Sequence, residues 1–138
     1  MAGPEAMRDL IVRAYAARAE GRVDELMSAF HPDAVFHLTG SKDILPIAGA
    51  IEGHGNLREA MRGFIGTFEF RNRDIRSMIF QDNRAAVHSR IQVKFLPSGL
   101  TSTTDVLDLF TFRDGKIIEL LEFADTALIN RMLASANS

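Results

Sequence analysis

The chain has 138 residues, of which 16 are Lys or Arg, 18 are Asp or Glu, and none is cysteine. This length predicts one domain, residues 1–138, and the missing cysteines exclude disulfides, thiolate catalysis and cysteine-bound zinc. The formal net charge of −2 is far from the basic balance that phosphate binding needs, so we expect no nucleic-acid partner.

The N-terminal segment carries charges at Glu5, Arg8, Asp9 and Arg13, which is not typical of a signal peptide. No stretch approaches the roughly 20 apolar residues that a membrane-spanning helix needs. We therefore expect a cytoplasmic protein with no membrane partner.

Two helices are predicted near the N-terminus. Apolar residues recur at helical spacing over residues 5–20, and Gly21 fits a helix stop. Residues 31–33, the sequence His-Pro-Asp, should end a short second helix, because a residue before proline disfavours helical backbone. The apolar face of this second helix is Val23, Leu26, Met27 and Phe30.

A short strand, a loop and a third helix follow. Residues 34–38 predict a strand, whereas residues 39–55, with four glycines and Pro46, predict an irregular loop or an edge hairpin. At the start of the third helix, Asn56 and Glu59 fit a capping box. The apolar stripe of this helix is Leu57, Ala60, Met61, Phe64 and Ile65.

After Gly66 the apolar period changes from about 3.6 to about 2, which predicts long strands joined by short turns. Such turns force an antiparallel meander that should twist and curl, and Asp125 fits the cap of a terminal helix. The predicted fold class is α+β, with a curved antiparallel sheet wrapping helices around an apolar pocket. The predicted strands are residues 68–80, 85–96, 101–112 and 117–124.

Strand alternation places Asp108 on the apolar face of the meander, opposite Ser89, although a one-residue slip in register would reverse its face. Burial there raises the pKa of the carboxyl, which makes Asp108 a candidate acid or base. The alternative is a structural carboxyl that is hydrogen-bonded to Ser89 or to a helix terminus. The predicted pocket lining is Phe36, Leu38, Met61, Phe64, Ser89, Ile91, Val93, Phe95 and Phe110.

The face of the last strand depends on its turn. A three-residue turn at residues 113–115 with a bulge, which we favour, puts Ile118, Leu120 and Glu122 on the Asp108 face. Two close carboxyls then acquire separated pKa values and suit acid and base roles, whereas an outward Glu122 would pair with Arg or Lys. A two-residue turn instead selects Ile117, Glu119, Leu121 and Phe123.

Five segments carry a recognisable pattern: GRVDELM at 21–27, FHPDAVF at 30–36, EGHG at 52–55, VLDLFTF at 106–112 and DGKII at 114–118. With the order of predicted elements, this pattern resembles the NTF2-like superfamily, in its SnoaL-like and ketosteroid-isomerase-related branch, over roughly residues 8 to 132. The resemblance implies a cone in which a curved, mainly antiparallel sheet of four to six strands wraps three N-terminal helices. A short C-terminal helix follows.

The resemblance also implies site residues. Asp108 matches the aspartate of the oxyanion hole in ketosteroid isomerases, and Tyr15 lies one residue from the matching tyrosine, with a core tyrosine as the alternative. Leu38 stands where that family places its catalytic base, and leucine cannot take a proton. His37 or His54 could replace the base, although alternation turns His37 away from Leu38.

Other branches of the superfamily imply other chemistry. Limonene epoxide hydrolases place two aspartates and an arginine around a water; Glu122 falls where one acid lies, but Arg90 and Gln92 are predicted to face outward. SnoaL-type polyketide cyclases need an acid/base residue in an apolar cavity, which Asp108 or Glu122 could supply. We expect a small apolar, carbonyl-bearing ligand with isomerase, cyclase or hydrolase chemistry, or else a non-catalytic ligand-binding or dimerisation module.

The outer face of the sheet mixes polar and apolar side chains: His88, Arg90, Gln92, Leu107 and Leu109. The resemblance implies a homodimer through this face, since apolar patches with arginine suit interfaces; a solvated face is the alternative. We expect no cofactor. We also expect no metal, because no two histidines stand in a helical i, i+4 pair.

Overall fold

The computed structural model of the protein describes residues 3–137. Helix α1 spans Pro4–Glu20 and stops at Gly21, as predicted. The left-handed backbone of Gly21 (φ 72°) directs its N–H at the last carbonyls of the helix. Helix α2 is shorter than predicted and spans Val23–Ser28.

Strand β1 spans Phe30–Leu38, four residues longer at its start than the predicted strand. Phe30 leaves the face of α2 because it pairs with Ile117 of the last strand, and the pairing resumes at Val35 after a shift in register. Pro32 lies within this interruption, where a missing N–H costs the sheet no hydrogen bond. Pairing with the last strand therefore makes residues 30–33 part of β1, although the sequence of residues 31–33 predicted only the end of a helix.

The loop after β1 contains the edge hairpin that the sequence left open, because β2 (Gly49–Glu52) pairs antiparallel with β1. Helix α3 spans His54–Thr67, and its N-cap is Gly53 rather than the predicted Asn56. The amide of Asn56 instead donates to the carbonyl of Glu52 at 3.1 Å. The turn at Gly53 (φ 87°) starts the helix three residues early.

The second half of the chain forms the predicted meander. The strands of the sheet lie in the order β2-β1-β6-β5-β4-β3; β1 and β6 pair in parallel, and the other neighbouring strands within residues 3–137 pair antiparallel. The architecture is a six-stranded, curved, unclosed sheet with helices on its concave side, which confirms the predicted α+β cone. The bounds are β3 Phe68–Gln81, β4 Arg84–Phe95, β5 Thr101–Arg113 and β6 Lys116–Phe123.

The register of β5 differs in detail from the prediction. Asp108 lies on the same face as Ser89, but its direct partner on β4 is Val87, one pair further along. On β6, a two-residue turn pairs Arg113 with Lys116, and a bulge follows at Ile118. The inward-facing side chains of β6 therefore start with Ile117 rather than Ile118. Because the bulge inserts one extra residue, the inward-facing residues after it are Leu120 and Glu122, as in the prediction.

Apolar side chains from both layers fill the space between the sheet and the helices. Met7, Ile11 and Ala14 of α1 and Leu57 and Met61 of α3 are buried there. Helix α4, Thr126–Ser135, closes the wide end by packing with a second apolar cluster. Its cap is the predicted one: an Asp125 carboxylate oxygen accepts from the N–H of Leu128 at 3.0 Å. The second cluster is Phe68, Ile91, Val93, Phe95, Val106 and Met132.

Within residues 3–137, none of the helices has both the length and the apolar composition that crossing a membrane requires. The same residues contain no group of three His, Cys, Asp or Glu side chains close enough to hold a metal ion.

Candidate functional site

The concave side of the sheet encloses a cavity of about 110 Å³. Its walls come from the sheet and from all four helices, and they are mostly apolar. This volume is of the same order as the apolar cavity of about 150 Å³ that binds benzene, so the space suits a small molecule. The polar and charged lining residues are Tyr15, Arg18, Arg73, Thr104, Asp108, Glu122 and Asp125.

Asp108 is one of the lining residues and is only 2% exposed. One carboxylate oxygen, Oδ2, accepts a hydrogen bond of 2.6 Å from the Tyr15 hydroxyl. The other, Oδ1, is buried without a hydrogen-bond partner among the described residues. Burial raises the pKa of Asp108, while the Tyr15 hydrogen bond and the charge of Arg73 act against that rise.

Glu122 stands directly opposite Asp108 across the β5–β6 pairing and also lines the cavity. Opposed residues on antiparallel strands have Cβ atoms about 4.5–5.5 Å apart, so the two carboxyls interact directly. Burial raises the pKa of Glu122, and the negative charge of Asp108 raises it further. The two carboxyls titrate as a coupled pair, in which the hydrogen bond from Tyr15 to Asp108 favours the charged form of Asp108 over that of Glu122.

Tyr15 reaches Asp108 from helix α1. Its ring packs edge-on against Phe110, with ring centroids 6.0 Å apart. Burial, followed by the charge of Asp108, raises the pKa of Tyr15, so its hydroxyl keeps its proton and acts as a donor. This hydrogen bond joins the two residues that the resemblance singles out.

Arg73 is a site residue that sequence alternation missed. Counting from Phe70, which faces inward, strict alternation would turn Arg73 outward. The ladder between β3 and β4 is interrupted between Arg71 and Asp74, and Asn72 adopts a left-handed backbone (φ 53°). This bulge turns Arg73 inward, where its guanidinium lies 3.6 Å above the centre of the Tyr15 ring.

Arg18 was also missed, because charged residues on amphipathic helices usually face water. It is buried, and its Nη2 donates to the carbonyls of Phe68 at 2.7 Å and Phe64 at 3.4 Å. Its guanidinium also lies 3.9 Å above the centre of the Phe70 ring. Burial lowers the pKa of Arg18 to about 10, which leaves it charged at neutral pH.

The remaining predicted residues divide between the wall and other places. His37 lies outside the wall because it faces away from Phe36 and Leu38 along β1, and the ring of His54 is held by the carbonyl of Met27 at 3.0 Å. Phe95 packs on Phe68 outside the cavity, and Ser89 is fully covered. The predicted lining residues found in the wall are Phe36, Leu38, Met61, Phe64, Ile91, Val93 and Phe110.

The outer face of the sheet carries its own polar network. Asp105 accepts from Arg90 at 2.9 Å and lies 3.1 Å from the His88 ring, while Gln92 accepts from Asn72. Leu107, the apolar neighbour of this network, is 39% exposed. The predicted interface residues thus share one face of the sheet, and Leu109 lies there partly buried.

The curved sheet and the helices define an α+β protein whose concave side carries a cavity lined by two carboxyls. The family model for the SnoaL-like domain matches residues 11–120, and the chain belongs to this SnoaL-like family. A comparison with curated proteins finds no match.

Solved structures share the fold over nearly the whole chain. A proposed isomerase from Bacillus subtilis has a TM-score of 0.88 and 12% identity, covering 98% of this chain and 97% of its own. An LEH-like epoxide hydrolase from M. tuberculosis has a TM-score of 0.73 and 18% identity, covering 96% and 92%. TerC, crystallised with polyporic acid, has a TM-score of 0.78 and 24% identity, covering 94% and 99%. Such low identities establish the fold and not the activity.

Proposed function

We propose that this protein binds a small, largely apolar molecule with a carbonyl or enolisable group and moves a proton on it. The observation that carries the proposal is the opposed pair of Asp108 and Glu122 in the wall of an apolar cavity. Neighbouring carboxyls whose surroundings separate their pKa values are suited to acting as base and acid at one site.

The proposed roles follow from the contacts of each carboxyl. Asp108, held ionised by the Tyr15 hydroxyl and by Arg73, removes a proton from the carbon next to the carbonyl. Glu122 gives its proton to the carbonyl oxygen, and an enol forms. Return of a proton from Asp108 to another carbon, with Glu122 taking back its own, gives an isomer. Attack of the enol on a second carbonyl would instead close a ring.

Similar proteins support this class of chemistry. The Bacillus subtilis structure is described as a proposed isomerase, and TerC holds polyporic acid. A non-catalytic binding module is the second candidate, because Leu38 lines the cavity where a third acid–base group would otherwise stand.

Hydrogen exchange at carbon tests the proposal directly. The protein is incubated in deuterated water with small enolisable ketones, such as 1-indanone and 2-tetralone, and loss of the α-proton signal is followed by NMR. We expect exchange above the buffer rate, and a fall of about 10²-fold or more in Asp108→Asn and Glu122→Gln. Asp105→Asn is the matched control, because Asp105 lies on the same strand but on the outer face.

The outcomes separate the two candidates. Exchange that is equally fast in Asp108→Asn and the native protein removes Asp108 as the base. Ketone binding without exchange above the buffer rate favours the binding module.

We also propose that the outer face of the sheet pairs with a second copy of the chain. Ile79, Ala86, Leu109 and Leu121 align across four neighbouring strands in one row, and Leu107 and Phe123 stand side by side in the next. Ile79, Leu107 and Phe123 are all exposed. A continuous apolar patch rimmed by Arg90 and Asp105 can pair with itself about a two-fold axis.

A further inference from the structure

Arg73 has a free donor in a place where free donors are rare. Its Nη1 is buried and has no hydrogen-bond partner among the described residues, and Arg73 joins none of the ion pairs found there. Arg18, the other cavity arginine, already donates to two backbone carbonyls. A buried donor without an acceptor costs free energy, so a bound acceptor would remove that cost.

The charges around the cavity favour an anion as that acceptor. Arg18 and Arg73 supply two positive charges, and Tyr15 stays neutral. Asp108 and Glu122 share one proton near neutral pH and so supply about one negative charge. Asp125 also borders the cavity, but it is exposed and already accepts from the helix α4 backbone. Apart from the exposed Asp125, the ionisable groups of the cavity thus combine two arginines with two carboxyls whose pKa values are raised, which favours an anionic ligand.

Arg73 lies close to the carboxyl pair through its contact with Tyr15. Its guanidinium stacks on the ring of Tyr15, whose hydroxyl holds Asp108. Arg73 lines the same cavity as the two carboxyls, so a ligand oxygen bound by its guanidinium would share the cavity with this pair, whose apolar neighbours there include Phe70 and Phe110.

We propose that Arg73 binds an anionic oxygen of the ligand, so that the ligand is a small apolar acid, a carboxylate or an acidic enol, rather than a neutral carbonyl compound. This inference rests on the proposed function in naming the ligand class of the same cavity. Arg73 can take this role because the bulge in β3 turns it inward.

The test compares two probes of nearly identical shape, benzoate and benzamide, by calorimetric titration at neutral pH. A charge-assisted hydrogen bond predicts that benzoate binds about 10- to 100-fold more tightly than benzamide. Arg73→Met keeps the length and the apolar contact but removes the charge, and it should abolish the preference. Arg73→Lys should retain part of it. Arg71→Met is the matched control, because Arg71 lies on the same strand, exposed and paired with Glu69.

Each outcome decides the matter. Equal binding of the two probes, no benzoate binding at millimolar concentration, or a preference that survives in Arg73→Met overturns the inference. Thermal denaturation of each variant verifies that it is folded. Benzoate has no enolisable carbon, so its binding is independent of the proposed proton transfer. Asp108→Asn should stop ketone exchange and keep the benzoate preference, which distinguishes a failure of one proposal from a failure of the other.

Discussion

Asp108 and Glu122 are direct partners across two antiparallel strands, and both carboxyls line the cavity. Like charges directly opposite each other destabilise a sheet, so the pair is tolerated only when it shares a proton. Arg73 acts to lower the pKa of both acids, whereas the Tyr15 hydroxyl donates to Asp108 and so favours the ionised form of Asp108 in particular. The asymmetry of the pair thus comes from its neighbours and not from the two acids themselves.

Stability should fall as the pH rises from acid toward neutral. The pKa of Glu122 is raised by folding, so above about pH 4.3, the ordinary glutamate value, the folded state holds more protons than the unfolded chain. The free energy of unfolding then decreases with pH until the raised pKa is passed. Asp108 contributes in the same direction. Urea unfolding at a series of pH values should show this slope, and Glu122→Gln should reduce it.

Glu119→Gln provides the control for this prediction, since Glu119 lies on the same strand but outside the cavity wall. It should keep the native slope. A Glu122→Gln variant with the native slope would show that Glu122 does not hold the shared proton.

Removal of the Tyr15 hydroxyl should raise the pKa of Asp108. The hydrogen bond from Tyr15 stabilises the ionised carboxyl, and Tyr15→Phe deletes it while keeping the ring against Phe110. Carboxyl carbon NMR during a pH titration measures the change, with Asp105 as an internal reference that keeps its partners. We also expect a loss of about 1–3 kcal/mol in the free energy of unfolding, because a buried acceptor is left unpaired. An Asp108 pKa that stays the same or falls would contradict the assigned hydrogen bond.

The bulge at Asn72 should control the direction of Arg73. Asn72→Val places a β-branched residue in left-handed backbone (φ 53°) and should cost about 1–3 kcal/mol, with loss of the benzoate preference. Asn72→Gly should keep the bulge and the preference. Asp82→Val is a control for strain alone, because Asp82 has a similar backbone (φ 55°) in a turn outside the cavity wall. Equal loss of the preference in Asp82→Val would mean that strain alone, and not the bulge, accounts for it.

A charge on the outer apolar row should separate the proposed dimer. Leu109→Asp puts a carboxylate among Ile79, Ala86 and Leu121, and burying it in an interface without a partner is costly. Sedimentation velocity should show a dimer for the native chain and a monomer for the variant. Val12→Asp, on an exposed position of helix α1, should remain dimeric. A native chain that sediments as a monomer at every concentration would contradict the proposed pairing.

The sequence predicted the order and type of the elements because their signals are local: the stop at Gly21, the change of period after Gly66, and the cap at Asp125. It misplaced the start of β1, where pairing with β6 overrides the helix-stop signal of residues 31–33. It also expected a cap at Asn56, but a glycine turn starts the helix earlier. Local sequence signals thus fail to predict element boundaries that are set by long-range strand pairing or by glycine backbone geometry.

The site residues also differ in how well the sequence predicted them. Alternation and the resemblance identified Asp108 and Tyr15, because each lies on a regular strand or helix face. Glu122 was identified from a predicted three-residue turn, whereas in the structure a two-residue turn followed by a bulge gives it the same face. Arg73 was hidden by a one-residue irregularity, and Arg18 by the ordinary expectation that helix charges face water. The one local signal available was Asn72, since asparagine is among the few residues that adopt left-handed backbone readily.

The parallel pairing of β1 with β6 has a consequence for how the chain is made. The first strand finds its neighbour only when the last strand has been synthesised, and contacts of such long sequence separation fold slowly. Until then β1 and β5 both offer bare hydrogen-bonding edges to other chains, and the carboxyl of Asp108 has no counterpart. The pair of Asp108 and Glu122 therefore forms only after β6 has been synthesised and has paired with β5.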